Sequence, residues 1–255
     1  DIAGQAAGGL ISRTPSAHRT PVGVAIADHI GSQNMANGVL AALYARERTG
    51  RGQAVEVSLY GGQIFAQASE YTYTFLTGKN PGEVDGGHPG IPLIYGIVPT
   101  ADGYLAIVGV ATAERERFFG AIGRPDLLAD ERYESLILSP EVRHELFEEL
   151  GRTFRTRSTA EWEAILRSVG QRYAAVQDYT DVADDEGAYA NGYLQRVDHP
   201  EWGNVPMVGS PIRLSETPVQ PGQIAPELGQ HTEELLLELG FDWDAIAALR
   251  ADGAI

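Results

Sequence analysis

The stretch from Pro21 to Leu59 constrains the fold more than any other part of this 255-residue sequence. It begins with a short apolar run and a single carboxylate, Asp28, and continues into a helical pattern over Gly31 to Thr49. In that pattern, apolar side chains recur at the spacing that predicts one buried helix face. The predicted face consists of Met35, Val39, Leu40 and Leu43.

Residue types mark the end of this helix and the segment after it. Gly50 is a predicted C-terminal stop, because glycine takes positive φ without steric cost. Val55, Val57 and Leu59 then alternate with polar residues, as in a strand with one buried face. An apolar run, a helix and a strand of these lengths predict a parallel βαβ crossover. A second helix is predicted over Gly61 to Thr77.

The segment AALYARERTGRGQAVEVSL, which follows Asp28, resembles the family III CoA-transferases. That group includes formyl-CoA transferase, carnitine CoA-transferase and the α-methylacyl-CoA racemases. The D-x-x-x-Q-A-x-x-G pattern of residues 1–9 and the G-x-H-T pattern of residues 229–232 also match. The resemblance extends over nearly the whole chain and implies that Asp28 is the catalytic carboxylate. From position alone, the alternative is that Asp28 caps the following helix, and one residue can do both.

The resemblance implies an α/β fold with part of a Rossmann-like CoA-binding large domain and a smaller α+β domain; members of the family form interlocked dimers. We expect residues 1–79 to form the C-terminal part of the large domain with the catalytic Asp. Residues 80–180 would carry the glycine loop and the small α+β domain, and residues 181–255 a return segment that packs on the large domain. In the family, a substantial portion precedes the segment that residues 1–20 resemble. A fragment, a separate polypeptide that carries this portion, and a truncated protein are the open explanations.

A turn-rich loop dense in Gly and Pro spans residues 78–92. By resemblance it corresponds to the family's glycine loop, with Gly86 and Gly87 at its centre. Glycine lets the backbone approach a bulky thioester closely. His88, which follows the pair, is a candidate substrate contact. The alternatives are an ordinary linker for the loop and a plain surface position for the histidine.

Clear element signals continue through the second half of the chain. Asp102 and Gly103, placed between two apolar runs, predict a β-hairpin. Helices are predicted over Pro140 to Thr153 and after the pair Ser158 and Thr159, either of which is a candidate N-cap. Thr232 is the predicted N-cap of a late helix.

Net charge and composition limit the classes of binding partner and the kinds of reactive or metal site that we expect. The formal net charge is −16, so we expect no nucleic-acid or membrane partner, because phosphate binding needs clustered cations. The chain has no Cys, which excludes disulfides, a thiolate nucleophile and a cysteine metal site. The acidic run over residues 184–186 lacks the ligand spacing of a divalent-cation site, and we expect no metal. No apolar run is long enough for a membrane span and no signal-peptide pattern is present, so cytoplasm is the expected location.

The resemblance implies movement of CoA from an acyl-CoA thioester to a free carboxylic acid, through an aspartyl anhydride and an aspartyl-CoA thioester. The CoA thioester is then a substrate, and we expect no tightly bound cofactor. An acyl-CoA racemase that exchanges the α-proton and a non-catalytic partner subunit are the alternatives. The expected partners are an acyl-CoA, a small carboxylic acid, and either a second copy of the chain or a chain that supplies the N-terminal portion.

Overall fold

The computed structural model describes residues 1–13, 20–81, 88, 91, 94–134, 138–219 and 225–255. Contacts divide the chain into two compact units, Asp1–Val176 and Gln177–Ile255. The expected three-part division at residues 79 and 180 stays a prediction.

The first unit opens with helices that pack on one another. They are α1 (Ile2–Ala7), α2 (Ile26–Thr49), α3 (Leu59–Ala66) and α4 (Ala68–Thr77), with a 3-10 turn over Leu10–Arg13. α1, α2 and α3 are in mutual contact. A Cβ on Gly31 would lie 2.6 Å from Leu59 Cδ2, so α2 and α3 approach as closely as they do because residue 31 is glycine. Gly50 ends α2 with a φ of 70°, as predicted.

The structure corrects the secondary structure predicted for this region. Residues 51–58 pair with no strand in the described parts of the chain, so the predicted strand over Val55 to Leu59 and the parallel crossover are wrong. α2 begins at Ile26 rather than Gly31, and the helix predicted over Gly61 to Thr77 is divided into α3 and α4. Alternation predicts a strand only where a neighbouring strand satisfies the backbone groups, and the described residues supply none.

The predicted buried face of α2 is also exposed. Leu40 is 63% exposed and Leu43 is 42% exposed, with Met35 and Val39 close to the latter value. Within α2 the buried residues are Ala27 and Gly31, which lie at its N-terminal end. Apolar periodicity predicts that a face packs against something, but it does not identify the polypeptide that covers it.

The main apolar core lies in residues 94–176 of the first unit. A three-stranded antiparallel sheet runs in the order β1 (Ile94–Pro99), β2 (Tyr104–Val110) and β3 (Tyr173–Ala175). Its helices are α5 (Arg115–Ala121), α6 (Pro125–Ala129), α7 (Pro140–Phe154) and α8 (Thr159–Ser168). Fully buried members of the core are Val98, Leu105, Val110, Phe118, Phe119, Leu146, Leu150, Phe154 and Leu166. The predicted hairpin, the helix at Pro140 and the N-cap at Ser158 are confirmed.

The second unit contains helices and one antiparallel hairpin. Its elements are α9 (Tyr179–Ala183), α10 (Glu186–Ala190), β4 (Leu194–His199), β5 (Gly203–Val208), α11 (Thr232–Glu238) and α12 (Trp243–Ala251). The prediction of Thr232 as an N-cap is wrong, because the N-cap of α11 is His231 and Thr232 is its first helical residue. His231 Nδ1 lies 3.1 Å from Glu234 Oε2, so the imidazole interacts with the first turn. In the described part of the chain, no helix has the length and apolar character to cross a membrane.

Leu150 provides a test of where the core lies. Its side chain is 0% exposed, whereas Ile97 in the neighbouring sheet is 45% exposed. Leu150→Ala is expected to lower the free energy of unfolding by about 2–5 kcal/mol, through lost burial and the cavity left behind. Ile97→Ala is the control and should cost less than about 1 kcal/mol. Urea unfolding followed by circular dichroism measures both, and equal losses would contradict the placement of the core.

Asp102 connects the hairpin turn to α8. Its Oδ1 accepts bonds from the Thr159 backbone N–H at 2.7 Å and from Thr159 Oγ1 at 2.8 Å. Thr100 Oγ1 donates to the same atom at 3.2 Å. The Thr159 backbone bond is the main cause that lowers the pKa of Asp102 in the folded protein, followed by the Thr159 hydroxyl. Because these donors favour the ionised form, they stabilise the fold more when Asp102 is a carboxylate than when it is protonated.

The lowered pKa of Asp102 predicts a pH-dependent stability difference. Its contribution is fully present above the unfolded-state pKa of about 3.9 and is lost as pH falls through the lower folded pKa. Asp102→Asn keeps an acceptor oxygen but cannot ionise. The wild type should therefore be more stable than Asp102→Asn at pH 7, and the gap should narrow as the pH falls through the lowered folded-state pKa of Asp102. Unfolding measured across this range checks it; a constant gap would refute the ionic contribution.

Candidate active site

Asp28 lies in the first turn of α2, and its side chain is 54% exposed. One of its carboxylate oxygens, Oδ1, is 3.0 Å from the backbone nitrogen of Asp1. A carboxylate in the first turn also interacts favourably with the partial positive charge at a helix N-terminus. The candidate nucleophile is therefore both accessible and held in a locally favourable field.

The N-cap of α2 comes from elsewhere in the chain. Ala25 occupies the N-cap position and offers no side-chain bond. Asp1 takes over this role, because its Oδ1 accepts the Ala27 N–H bond at 2.9 Å. The interpretation of Asp28 as the N-cap is thus wrong: Asp28 lies inside the helix, and capping does not occupy its carboxylate.

Gln5 holds the segment that leads into α2. This side chain is 0% exposed. Its Nε2 donates to Asp1 Oδ2 at 2.6 Å and to the Val24 carbonyl at 3.1 Å. Its Oε1 accepts the Val22 N–H bond at 3.1 Å. The sequence interpretation used Asp1 and Gln5 only as part of a resemblance; their i, i+4 spacing is the signal that places them on one side of α1.

The other predicted site residues lie around the glycine-rich loop. Gly86 and Gly87 fall outside the described residues, so their role stays a prediction. His88 is described, and its Nε2 is 2.6 Å from Glu70 Oε1, with both side chains about one-quarter to one-third exposed. Within the described ranges, no hydrogen bond or ion pair joins His88 to Asp28. Glu70 was missed by the sequence interpretation, because no local spacing links a helix carboxylate to a residue 18 positions later in the loop.

A polar cavity of about 320 Å³ lies beside Glu70 in the first unit. Arg13, Tyr71 and Asn80 are among its lining residues. The Arg13 guanidinium donates to the Pro81 carbonyl, and Tyr71 Oη donates to the Gly8 carbonyl at 3.3 Å. The cavity is of a size to admit a small polar molecule. Among the residues that the structure describes, no group of three or more His, Asp or Glu side chains is placed to hold a metal ion.

Comparison with known proteins shows which family the chain is similar to. A sequence model of CoA-transferase family III matches residues 1–232. The succinyl-CoA:mesaconate CoA-transferase of Haloarcula hispanica is 32% identical over 252 residues, covering 94% of this chain and 60% of that protein. The cinnamoyl-CoA:phenyllactate CoA-transferase of Clostridium sporogenes is 28% identical, covering 89% of this chain and 56% of that protein.

The fold matches solved structures as well. A CAIB/BAIF family protein from Brucella suis superposes with a TM-score of 0.78 at 26% sequence identity, covering 94% of this chain and 62% of that chain. This match confirms the predicted fold class, although the described strands of this chain pair only in antiparallel ladders. The chain spans about 60% of the length of the curated relatives it matches. Taken together, the family match, the identities and the shared fold place this chain in CoA-transferase family III.

Proposed function

We propose that the protein moves CoA from an acyl-CoA thioester to a free carboxylic acid, with Asp28 as the covalent carrier. The observation that carries the proposal is the accessible carboxylate at the start of α2, left free of capping because Asp1 supplies the cap. The names of its relatives support the same reaction class, since they are CoA-transferases acting on small carboxylic acids.

The first half of the proposed reaction loads CoA onto the protein. A carboxylate oxygen of Asp28 attacks the thioester carbonyl; the C–S bond breaks, and CoA thiolate leaves behind a mixed anhydride. The thiolate then attacks the Asp28 carbonyl of that anhydride. The donor acid departs as a carboxylate, and Asp28 becomes an aspartyl-CoA thioester.

The second half reverses these steps on the acceptor. The acceptor carboxylate attacks the aspartyl thioester, expels the thiolate and forms a second anhydride. Attack of the thiolate on the acceptor carbonyl releases the new acyl-CoA and restores the Asp28 carboxylate. Bonds, charges and protons balance without an added cofactor, in line with the expectation of a CoA thioester as substrate and no tightly bound group.

Gly86 and Gly87 are proposed to let the loop backbone approach the thioester, and its N–H groups would face the developing oxyanion. His88 is proposed as a substrate contact beside them. The 2.6 Å contact with Glu70 supports an oriented imidazole, because a carboxylate partner fixes which way the ring faces.

The proposed partners include polypeptide outside this chain: either a second copy, or a chain that supplies the N-terminal portion. Support comes from apolar side chains left exposed in the helical region, including Leu40, Phe65, Phe75 and Leu76, each more than 60% exposed. Light scattering distinguishes the two assemblies. A homodimer gives the mass of two copies, whereas the heteromer gains mass only after the other chain is added.

Asp28→Asn tests the covalent carrier. Asparagine keeps the shape of the side chain but is a much poorer nucleophile, so we expect CoA exchange to fall by at least about 1,000-fold. Incubation with a panel of acyl-CoAs, rapid quenching and intact mass spectrometry should show a CoA thioester on the wild type and none on the variant. The reaction is run on the natural polypeptide, with any preceding segment included.

Asp244→Asn is the matched control, because Asp244 also lies in the first turn of a helix and loses the same favourable interaction with the helix end. Its activity should stay within about twofold of the wild type. Undiminished exchange by Asp28→Asn would refute the proposal. Exchange of the α-proton in deuterated water without CoA exchange would instead indicate a racemase, and no chemistry with any acyl-CoA would favour a partner subunit.

A further inference from the structure

Gln5 is a buried side chain whose amide nitrogen and amide oxygen are both hydrogen-bonded. Both donor positions of Nε2 are used, towards Asp1 and Val24, and Oε1 accepts from Val22. Turning the amide over would point its oxygen at a carboxylate and a carbonyl, which are both acceptors. The orientation is therefore determined by its partners, and the amide holds three groups in one arrangement.

The segment that Gln5 binds has little else to hold it. Val22 and Val24 are 48% and 40% exposed, so burial of their side chains contributes little. Between them, Gly23 has a φ of 86°, a conformation that favours a tight bend. Ala25, which follows, offers no side-chain cap to α2. Within the loop, the Ile26 N–H donates to the Val24 carbonyl at 2.8 Å, and the bonds to Gln5 and Asp1 join the loop to α1.

The same bonds reach the start of α2. Gln5 Nε2 orients the Asp1 carboxylate through Oδ2, and Oδ1 of that carboxylate accepts the Ala27 N–H bond. Ala27 immediately precedes Asp28 and is 0% exposed. A shift of the Gln5 amide is thus transmitted through one carboxylate to the backbone that carries the candidate nucleophile.

We propose that Gln5 is a positioning residue for the CoA-transfer reaction: it fixes residues 22–27 and so sets where the Asp28 carboxylate meets the thioester carbonyl. The inference rests on the proposed function of Asp28. The Gln5 amide bonds to Asp1, Val22 and Val24, so it acts on Asp28 through Asp1 and the loop. Misplacement of a reacting group by about 1 Å can lower a rate by about 100-fold, so the chemical step is where its loss is felt.

Gln5→Met is the main test, because methionine matches the length of glutamine and has none of its amide bonds. We expect kcat for CoA exchange to fall about 100-fold while KM for the acyl-CoA changes less than about threefold. Hydrogen exchange at the Val22 and Ala27 amides should accelerate by at least about tenfold. The Val22 N–H loses its acceptor, Gln5 Oε1, and the Ala27 N–H keeps an acceptor, Asp1, that Gln5 no longer orients. If Gln5→Met does not fold, Gln5→Asn replaces it as the test variant. Asparagine keeps an amide but is one methylene shorter, so the same changes in kcat and amide exchange are expected.

Gln171→Met is the matched control. Gln171 is 5% exposed and donates to backbone carbonyls in the α+β part, at Gly109 and Arg172, so its loss also removes buried amide bonds. Its kcat should stay within about twofold of the wild-type value, whatever the change in stability. An equal fall in kcat for both variants would reduce Gln5 to a structural role and overturn the inference.

The two proposals fail in distinguishable ways. If the wild type forms no CoA adduct at Asp28, the proposed function fails. If the wild type forms the adduct and Gln5→Met turns over at the wild-type kcat, the role of Gln5 is refuted while the function of Asp28 stands. Unchanged amide exchange at Val22 and Ala27 in a folded Gln5→Met protein would refute the role as well.

Discussion

A single carboxylate organises the candidate site. Asp1 accepts the Ala27 N–H bond through one oxygen and the Gln5 amide through the other, and in this way supplies from α1 the cap that α2 does not have. Without it, the first turn of a 24-residue helix would begin with unsatisfied donors beside the residue proposed to react. Because Asp1 caps the helix, the Asp28 carboxylate is not used as a cap; its Oδ1 lies 3.0 Å from the Asp1 nitrogen, and its side chain is 54% exposed.

The two parts of the first unit differ in how their stability arises. The sheet of residues 94–176 and its helices enclose a shared core, in which the Trp162 indole donates to the Phe154 carbonyl at 2.7 Å. The helices before it bury chiefly small and amide residues where they cross, such as Gly31 and Gln63. Their larger apolar side chains face outward. The first arrangement is self-contained, whereas the second has the character of one side of an interface.

Local signals predicted local structure well and long-range structure poorly. The turn at Asp102-Gly103 and the cap at Ser158 act on their own neighbours, so sequence spacing was sufficient to find the hairpin and α8. The alternation at Val55 to Leu59 predicted a strand, but a ladder needs a partner that no local pattern supplies. The site divides in the same way. Asp28 was found by resemblance, whereas the bonds of Gln5 to Val22 and of Glu70 to His88 join residues 17 and 18 positions apart, and only tertiary packing creates them.

The exposure of Asp28 sets a condition on any chemistry it performs. On the proposed mechanism, each turnover leaves an activated acyl–aspartyl bond on a side chain that is 54% open to solvent in this chain. If water attacked that bond, the acyl group or CoA would be released from Asp28 without reaching the acceptor. The net reaction would then be hydrolysis of the acyl-CoA thioester. On that mechanism, the access of water to the beginning of α2 would decide between CoA exchange and hydrolysis, so fidelity would depend on what surrounds the nucleophile as well as on the nucleophile itself.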